Sequence, residues 1–276
     1  MIDPFDYKEP SCALCGGKEF YYPDRTAPKG RIPVDRVIAK LDGFFEKNDL
    51  QGAEKHLSYW LTEAKELGDA MGELTLVSEQ IGLYRKTEEE EKALAAVDRG
   101  LELVVLLGQE ETTAGATIRL NAATTMKAFG RVKEALPHYE KAAEIYEKEL
   151  KKDDPRRAGL YNNRALAYAD PKRYDDAERD YLSALDVLKE VVGSENERAI
   201  TYVNYAYLCD EAGNKSVFFP LRLMDEAFAL LTSETVAKNG AHAAACQKCA
   251  PGFSRFGMQK EAEILNKRAE EIYART

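Results

Sequence analysis

Two residue types in this chain stand at spacings that could do chemistry. The first is cysteine. Cys12-Ala13-Leu14-Cys15-Gly16-Gly17 is a CxxC followed by glycines. Glycine there lets backbone amides turn toward thiolates, as in zinc ribbons, but a closed tetrahedral zinc site needs four ligands. A second CxxC, Cys246-Gln247-Lys248-Cys249, could be asked to complete it. The second type is asparagine. Asn121, Asn163 and Asn204 recur at nearly equal intervals, and Asn162 doubles the middle one. An amide donates and accepts at once, so a row of amides can hold an extended peptide backbone without reading its side chains.

Catalytic constellations are missing from the sequence. It holds no glycine-rich phosphate loop, no HExxH and no GxSxG, the motifs that would signal phosphoryl, metallohydrolase or acyl chemistry. Its three histidines, His56, His138 and His242, have no fixed partner residues. The run Glu88 to Glu91 suits the positive end of a helix dipole and is not a carboxylate pair. We expect no enzyme, no catalytic residue and no cofactor.

The elements that would position the asparagines come from a repeat. Ala53, Ala93, Ala135, Ala177 and Ala262 are spaced by about forty-two residues, the last after a double interval. Five residues before each alanine stands Asn48, Glu88, Gly130, Lys172 or Gly257. Four before those stands Phe44, Tyr84, Met126, Tyr168 or Phe253. Three before those stands Leu41, Ile81, Ala123, Ala165 or Ala250. A fixed period of this size means stacked supersecondary units. Apolar residues at three- and four-residue spacings predict helices, paired as helix, turn, helix from Val34 onward. Six hairpins result. The fifth is irregular, with Phe218 at the alanine position and Pro220 close behind, so its second helix must start late or be displaced.

The ladder Gly130, Ala135, Tyr139 and Ala142, and again Ala165, Tyr168, Tyr174, Ala177, Tyr181 and Ala184, resembles the tetratricopeptide repeat. The long period is similar to the subclass found in kinesin light chains and in peptide-pheromone receptors. The resemblance implies an all-α, right-handed α-solenoid over residues 34–276. Before it, residues 1–33 hold five of the ten prolines and read as a loop-rich arm or cap carrying the first CxxC.

In such a solenoid the first helix of each hairpin lines the concave face. Two residues before the small residue, the chain reads Ala39, Glu79, Asn121, Asn163, Asn204 and Lys248. Either the asparagines hold a ligand backbone, or each bonds the neighbouring repeat's backbone and sets register. Arg85, Lys86, Thr124, Lys127, Tyr207, Asp210 and Arg255 fall on the same face, and its cations could bind a partner's carboxylate. The groove set is Asn121, Asn162, Asn163, Asn204, Lys127, Lys248, Arg85 and Tyr207. Cys246 and Cys249 take core positions and read as buried structural thiols. Cys12 and Cys15 alone cannot close a zinc site. His56 and His138 read as surface residues.

The net charge is −9, with 45% apolar and 32% charged residues. That favours a packed core and argues against binding a phosphate backbone. No cationic stretch followed by an apolar run opens the sequence, and no segment is apolar enough to span a bilayer. The odd count of five cysteines suits a reducing, cytoplasmic setting. The expected partner is a protein or peptide segment, not nucleic acid or membrane, with homo-oligomerisation left open. The expected role is a non-catalytic binding scaffold. The alternatives are a regulatory peptide sensor, an accessory subunit of an enzyme complex, and a zinc protein using Cys12 and Cys15.

Overall fold

The computed structural model describes residues 28–275 except 214 and 217. The described residues form twelve α-helices and no strand. They pair as α1 (Val34–Glu46) with α2 (Leu50–Leu67), α3 (Ala70–Lys86) with α4 (Glu90–Leu106), and α5 (Thr113–Ala128) with α6 (Val132–Glu149). Then come α7 (Pro155–Ala169) with α8 (Tyr174–Lys189), α9 (Glu195–Ala212) with α10 (Phe218–Thr232), and α11 (Gly240–Arg255) with α12 (Gln259–Tyr273). The result is an α-solenoid of six hairpins.

The turn inside each hairpin accounts for the columns of the repeat. Asn48, Glu88, Gly130, Lys172 and Gly257 have φ of 55°, 59°, 76°, 61° and 76°, the left-handed region. The next residue's amide donates to the large apolar residue closing the first helix. These bonds run from Asp49 to Phe44, Glu89 to Tyr84, Arg131 to Met126, Arg173 to Tyr168 and Met258 to Phe253, at 2.8–3.0 Å. That is the long bond of a Schellman cap. The same residue's carbonyl then accepts from the repeat alanine, opening the second helix: Ala53, Ala93, Ala135, Ala177 and Ala262 donate at 2.9–3.1 Å. None of these alanines is more than 1% exposed. The helices cross too closely there for a larger side chain.

The fifth hairpin departs as its sequence requires. Gly213 is left-handed at 62°, but α10 begins only at Phe218, five residues later instead of two. Phe218 is left exposed instead of taking the alanine's place, while Pro220 is buried in the first turn. A proline there lacks only an amide that has no intrahelical acceptor.

Neighbouring odd-numbered helices touch in series from α3 to α11 and so share one inner face. The series also closes, because α1 meets α11. Gly240 makes that seam: a Cβ there would lie 2.9 Å from the Cα and carbonyl oxygen of Glu46. The inner face is therefore a lumen bounded by the first and last hairpins. Just before α1 the chain is strapped to the α2–α3 turn. Lys29 N–H donates to the Leu67 carbonyl at 2.8 Å, and Ile32 N–H to Asp69 Oδ2 at 3.0 Å. The CxxC of Cys12 and Cys15 lies outside the described residues.

A left-handed conformation costs a residue with a Cβ roughly 1 kcal/mol or more relative to glycine. Lys172→Gly should therefore raise stability by about 0.5–1 kcal/mol in urea unfolding, and Gly130→Ala should lower it by about 1 kcal/mol. A destabilising Lys172→Gly would show that the turn does not impose this conformation.

Candidate functional site

The lumen is lined from α3, α5, α7, α9 and α11, whose equivalent positions carry Glu79, Asn121, Asn163, Asn204 and Lys248. The three asparagines do different work. Asn121 Nδ2 donates to Ser78 Oγ on α3 at 2.9 Å. Asn204 Nδ2 donates to Asn162 Oδ1 on α7 at 3.1 Å. Each reaches the residue one before its equivalent in the preceding repeat. For Asn163 that residue is Leu120, whose side chain has no acceptor. Among the described residues the Asn163 amide has no partner. Asn121 and Asn204 thus set register, through side chains and not through backbone, while Asn163 stays available.

Asn163 opens onto a cleft of about 510 Å³ between the N-terminal halves of α7 and α9. Gly159, Asn162, Glu197 and Thr201 line it, and Lys248 reaches it from α11. A Cβ added at Gly159 would meet nothing within 4 Å. Gly159 lies outside the repeat columns, so the sequence pattern does not mark it.

Three basic residues of this face are Arg85, Lys127 and Lys248. Arg85 is half-buried, and its Nη1 donates to Thr125 Oγ1 at 3.2 Å. Desolvation lowers its pKa, the nearby Tyr139 opposing that slightly. Lys248 is reached by water, yet its ammonium is also lowered, first by desolvation and then by the positive charges of Arg85 and Lys127. Both observations fit a side chain standing inside the lumen, wet but surrounded by protein. Glu79 is raised above the usual carboxylate range by desolvation and by the charge of Asp42.

Other residues expected on this face are engaged elsewhere. Tyr207 packs on Phe256 at 5.8 Å between ring centres and lies under the Arg255 guanidinium at 4.7 Å. Arg255 pairs with Asp210 at 2.7 Å, so these residues join α9 to α11. Thr124 accepts from Tyr139 of α6 at 3.1 Å, and Lys86 donates to Asn48 at 3.4 Å. His56 and His138 are half-buried and not surface groups; His56 Nε2 lies 2.9 Å from the Val37 carbonyl.

Cys246 and Cys249 are buried at 0% and 1% exposure, as core positions require. Burial pushes their thiols up to about 11 and about 12. Cys246 Sγ lies 3.6 Å from His242 Nε2, and His242 Nδ1 lies 2.7 Å from Asn196 Oδ1. His242 is buried, and desolvation lowers its pKa.

Residues 116–156 and 157–197 match the tetratricopeptide repeat family. No curated protein matches the chain significantly. Among solved structures the chain is similar to BtubC (BKLC) from P. vanneervenii. That match has 20% identity and a TM-score of 0.56, and covers 87% of this chain and 80% of that one. It is also similar to a Podosopora anserina putative kinesin light chain with nearly identical TPR-like repeats, at 17% identity and TM-score 0.52, covering 73% and 95%. The apo form of RapI matches at 14% identity and TM-score 0.54, covering 87% and 97%. Residues 116–197 are tetratricopeptide repeats, and the fold is the TPR-like solenoid. Among the described residues no helix is long and apolar enough to cross a membrane.

Two outcomes follow from this geometry. Asn204→Ala removes a half-buried hydrogen bond between repeats and should lower stability by about 0.5–1.5 kcal/mol, whereas Asn163→Ala should leave urea unfolding nearly unchanged. Equal losses would contradict the division of roles. His242 has a folded-state pKa below its unfolded value, so the unfolded chain takes up the proton first as pH falls. Its share of stability is full above about pH 6.5 and is lost below it. Thermal unfolding between about pH 7 and pH 5.5 should show a smaller drop in His242→Gln than in the parent chain. An identical drop would remove His242 from the acid response.

Proposed function

We propose that this chain is a non-catalytic interaction module that holds an extended segment of a partner protein along the inner face of its solenoid. The observation that supports this best is the unpartnered Asn163 amide over an open cleft, one turn along α7 from Gly159, which leaves space there. An extended peptide offers alternating donors and acceptors, and one amide can meet both. The remaining amide capacity of Asn162 continues the row. Lys248 supplies a cation at the cleft, and Arg85 and Lys127 add cations on the same face, so the ligand is expected to carry negative charge at one end.

A second reading is favoured by the seam. A ligand that spans the lumen touches both ends of the solenoid, so its arrival can alter how α1 sits on α11. That would make the module a peptide sensor, with its output in a separate partner. Both readings use the same cleft.

The test fills the cleft without harming the fold. Leucine at 159 has open space before it and a better helix propensity than glycine by roughly 0.5–1 kcal/mol. Peptides selected from a random library on the parent chain should lose binding at least tenfold to Gly159→Leu, with thermal stability equal or higher. Retained affinity in a folded Gly159→Leu would place the binding site elsewhere.

A further inference from the structure

The cleft over Asn163 has a wall that the repeat does not account for. Ile200 stands at the position that carries Thr75 in α3, Thr117 in α5, Gly159 in α7 and Ala244 in α11. Thr75 and Thr117 turn their hydroxyls back onto their own helices, to the carbonyls of Met71 at 3.2 Å and Thr113 at 2.8 Å. Ile200 instead brings a large apolar side chain to the cleft, and it is only half-buried there. Val191 and Leu188 extend the apolar lining from the end of α8. Their place is fixed, because Ser194 Oγ and Val191 N–H both donate to the Leu188 carbonyl, at 2.7 and 3.1 Å. An apolar wall beside a few polar groups is how a concave site combines affinity with orientation.

The same cleft carries opposite charges. Glu197 lines it from the first turn of α9, and Lys248 from α11. Both are exposed, and neither has an ion pair among the described residues. Arg156 also lines the cleft, but its guanidinium is held by Asp154 at 2.7 Å. Glu197 comes seven residues before Asn204, the α9 equivalent of Lys248. Seven helical residues rise roughly 10 Å, and three residues of extended chain span about the same distance.

We propose, resting on the reading of this cleft as a peptide site, that it selects an apolar side chain carried between a basic and an acidic residue three positions apart. The apolar side chain lies against Ile200 and Val191, and the backbone beside it meets the Asn163 amide. The basic residue meets Glu197 and the acidic one Lys248. The two charges fix the direction of the peptide, since a reversed chain would set like charges together. Ile200 and Glu197 thus determine which segment is held, and neither belongs to the asparagine row.

The test selects blocked random heptapeptides on the full chain and measures the selected ones on folded variants. The expected peptides share an apolar residue between a basic and an acidic one, three positions apart. Ile200→Thr, which installs the residue of α3 and α5, should bind them at least about fivefold weaker, because it removes apolar contact. Glu197→Lys should bind them at least about tenfold weaker, by setting like charges together. Replacing the basic residue of a peptide by glutamate should reverse that order, so that Glu197→Lys binds the altered peptide better than the parent chain does. A merely structural role for Glu197 would not produce that exchange. Peptides that lose binding to Gly159→Leu but share no such pattern would overturn the selectivity and leave the cleft as the peptide site. So would peptides that carry the pattern, lose binding to Gly159→Leu, and bind Ile200→Thr and Glu197→Lys as tightly as the parent. Peptides held equally by the parent chain and all three variants, or a selection that yields none, would overturn both readings.

Discussion

Between the two helices of every regular hairpin the chain passes through one left-handed residue, and the rest of the repeat is arranged around that point. The amide of the residue after it donates back to the carbonyl of a large apolar residue in the first helix, and its own carbonyl accepts from the amide of the alanine in the second. Those two bonds set the distance between the columns of the sequence, so the large apolar residue, the turn and the alanine keep their spacing in five hairpins. Asn48, Glu88 and Lys172 accept this conformation despite their Cβ atoms. Asparagine does so readily, while glutamate and lysine do so against preference. The cap geometry outweighs local propensity, because losing it would unmake the close crossing at the buried alanine.

Repetition at one angle has a consequence for the whole chain. Each hairpin turns the next, and by the sixth the inner helix returns to the first. Gly240 allows contact with Glu46 that a side chain would prevent. A surface that would be an open groove becomes an enclosed one. Enclosure accounts for Lys248 being exposed and yet desolvated, its ammonium lowered further by the charges of Arg85 and Lys127. Function and fold meet at that point: the lumen exists because the turn repeats, and its chemistry comes from positions the repeat leaves free.

Much of this was legible in the sequence. The helix pairs, the turn column, the late start of α10 and the burial of Cys246 and Cys249 all follow from apolar spacing and from the stereochemistry of glycine and proline. Exact helix starts were less legible than the columns: α3, α5 and α7 begin at Ala70, Thr113 and Pro155, in turns capped by Asp69, Thr112 and Asp154. The asparagine row was visible, but its division of labour was not. That division depends on Ser78, Leu120 and Asn162, one position away and in the preceding repeat. Arg85, Lys127 and Lys248 were legible as residues of one face, but the lowered Lys248 ammonium was not, because it depends on the protein around that side chain.

The first and sixth hairpins meet and enclose the lumen. Spin labels at positions 47 and 241, both exposed and beside the seam, measure this directly by pulsed dipolar spectroscopy. Labelling would use a chain with Cys12 and Cys15 replaced, since Cys209, Cys246 and Cys249 are buried. A closed solenoid gives one short, narrow distance, and Gly240→Val lengthens it. A broad distribution in the parent chain, unchanged by Gly240→Val, would mean that the ends do not meet and that the inner face is an open groove.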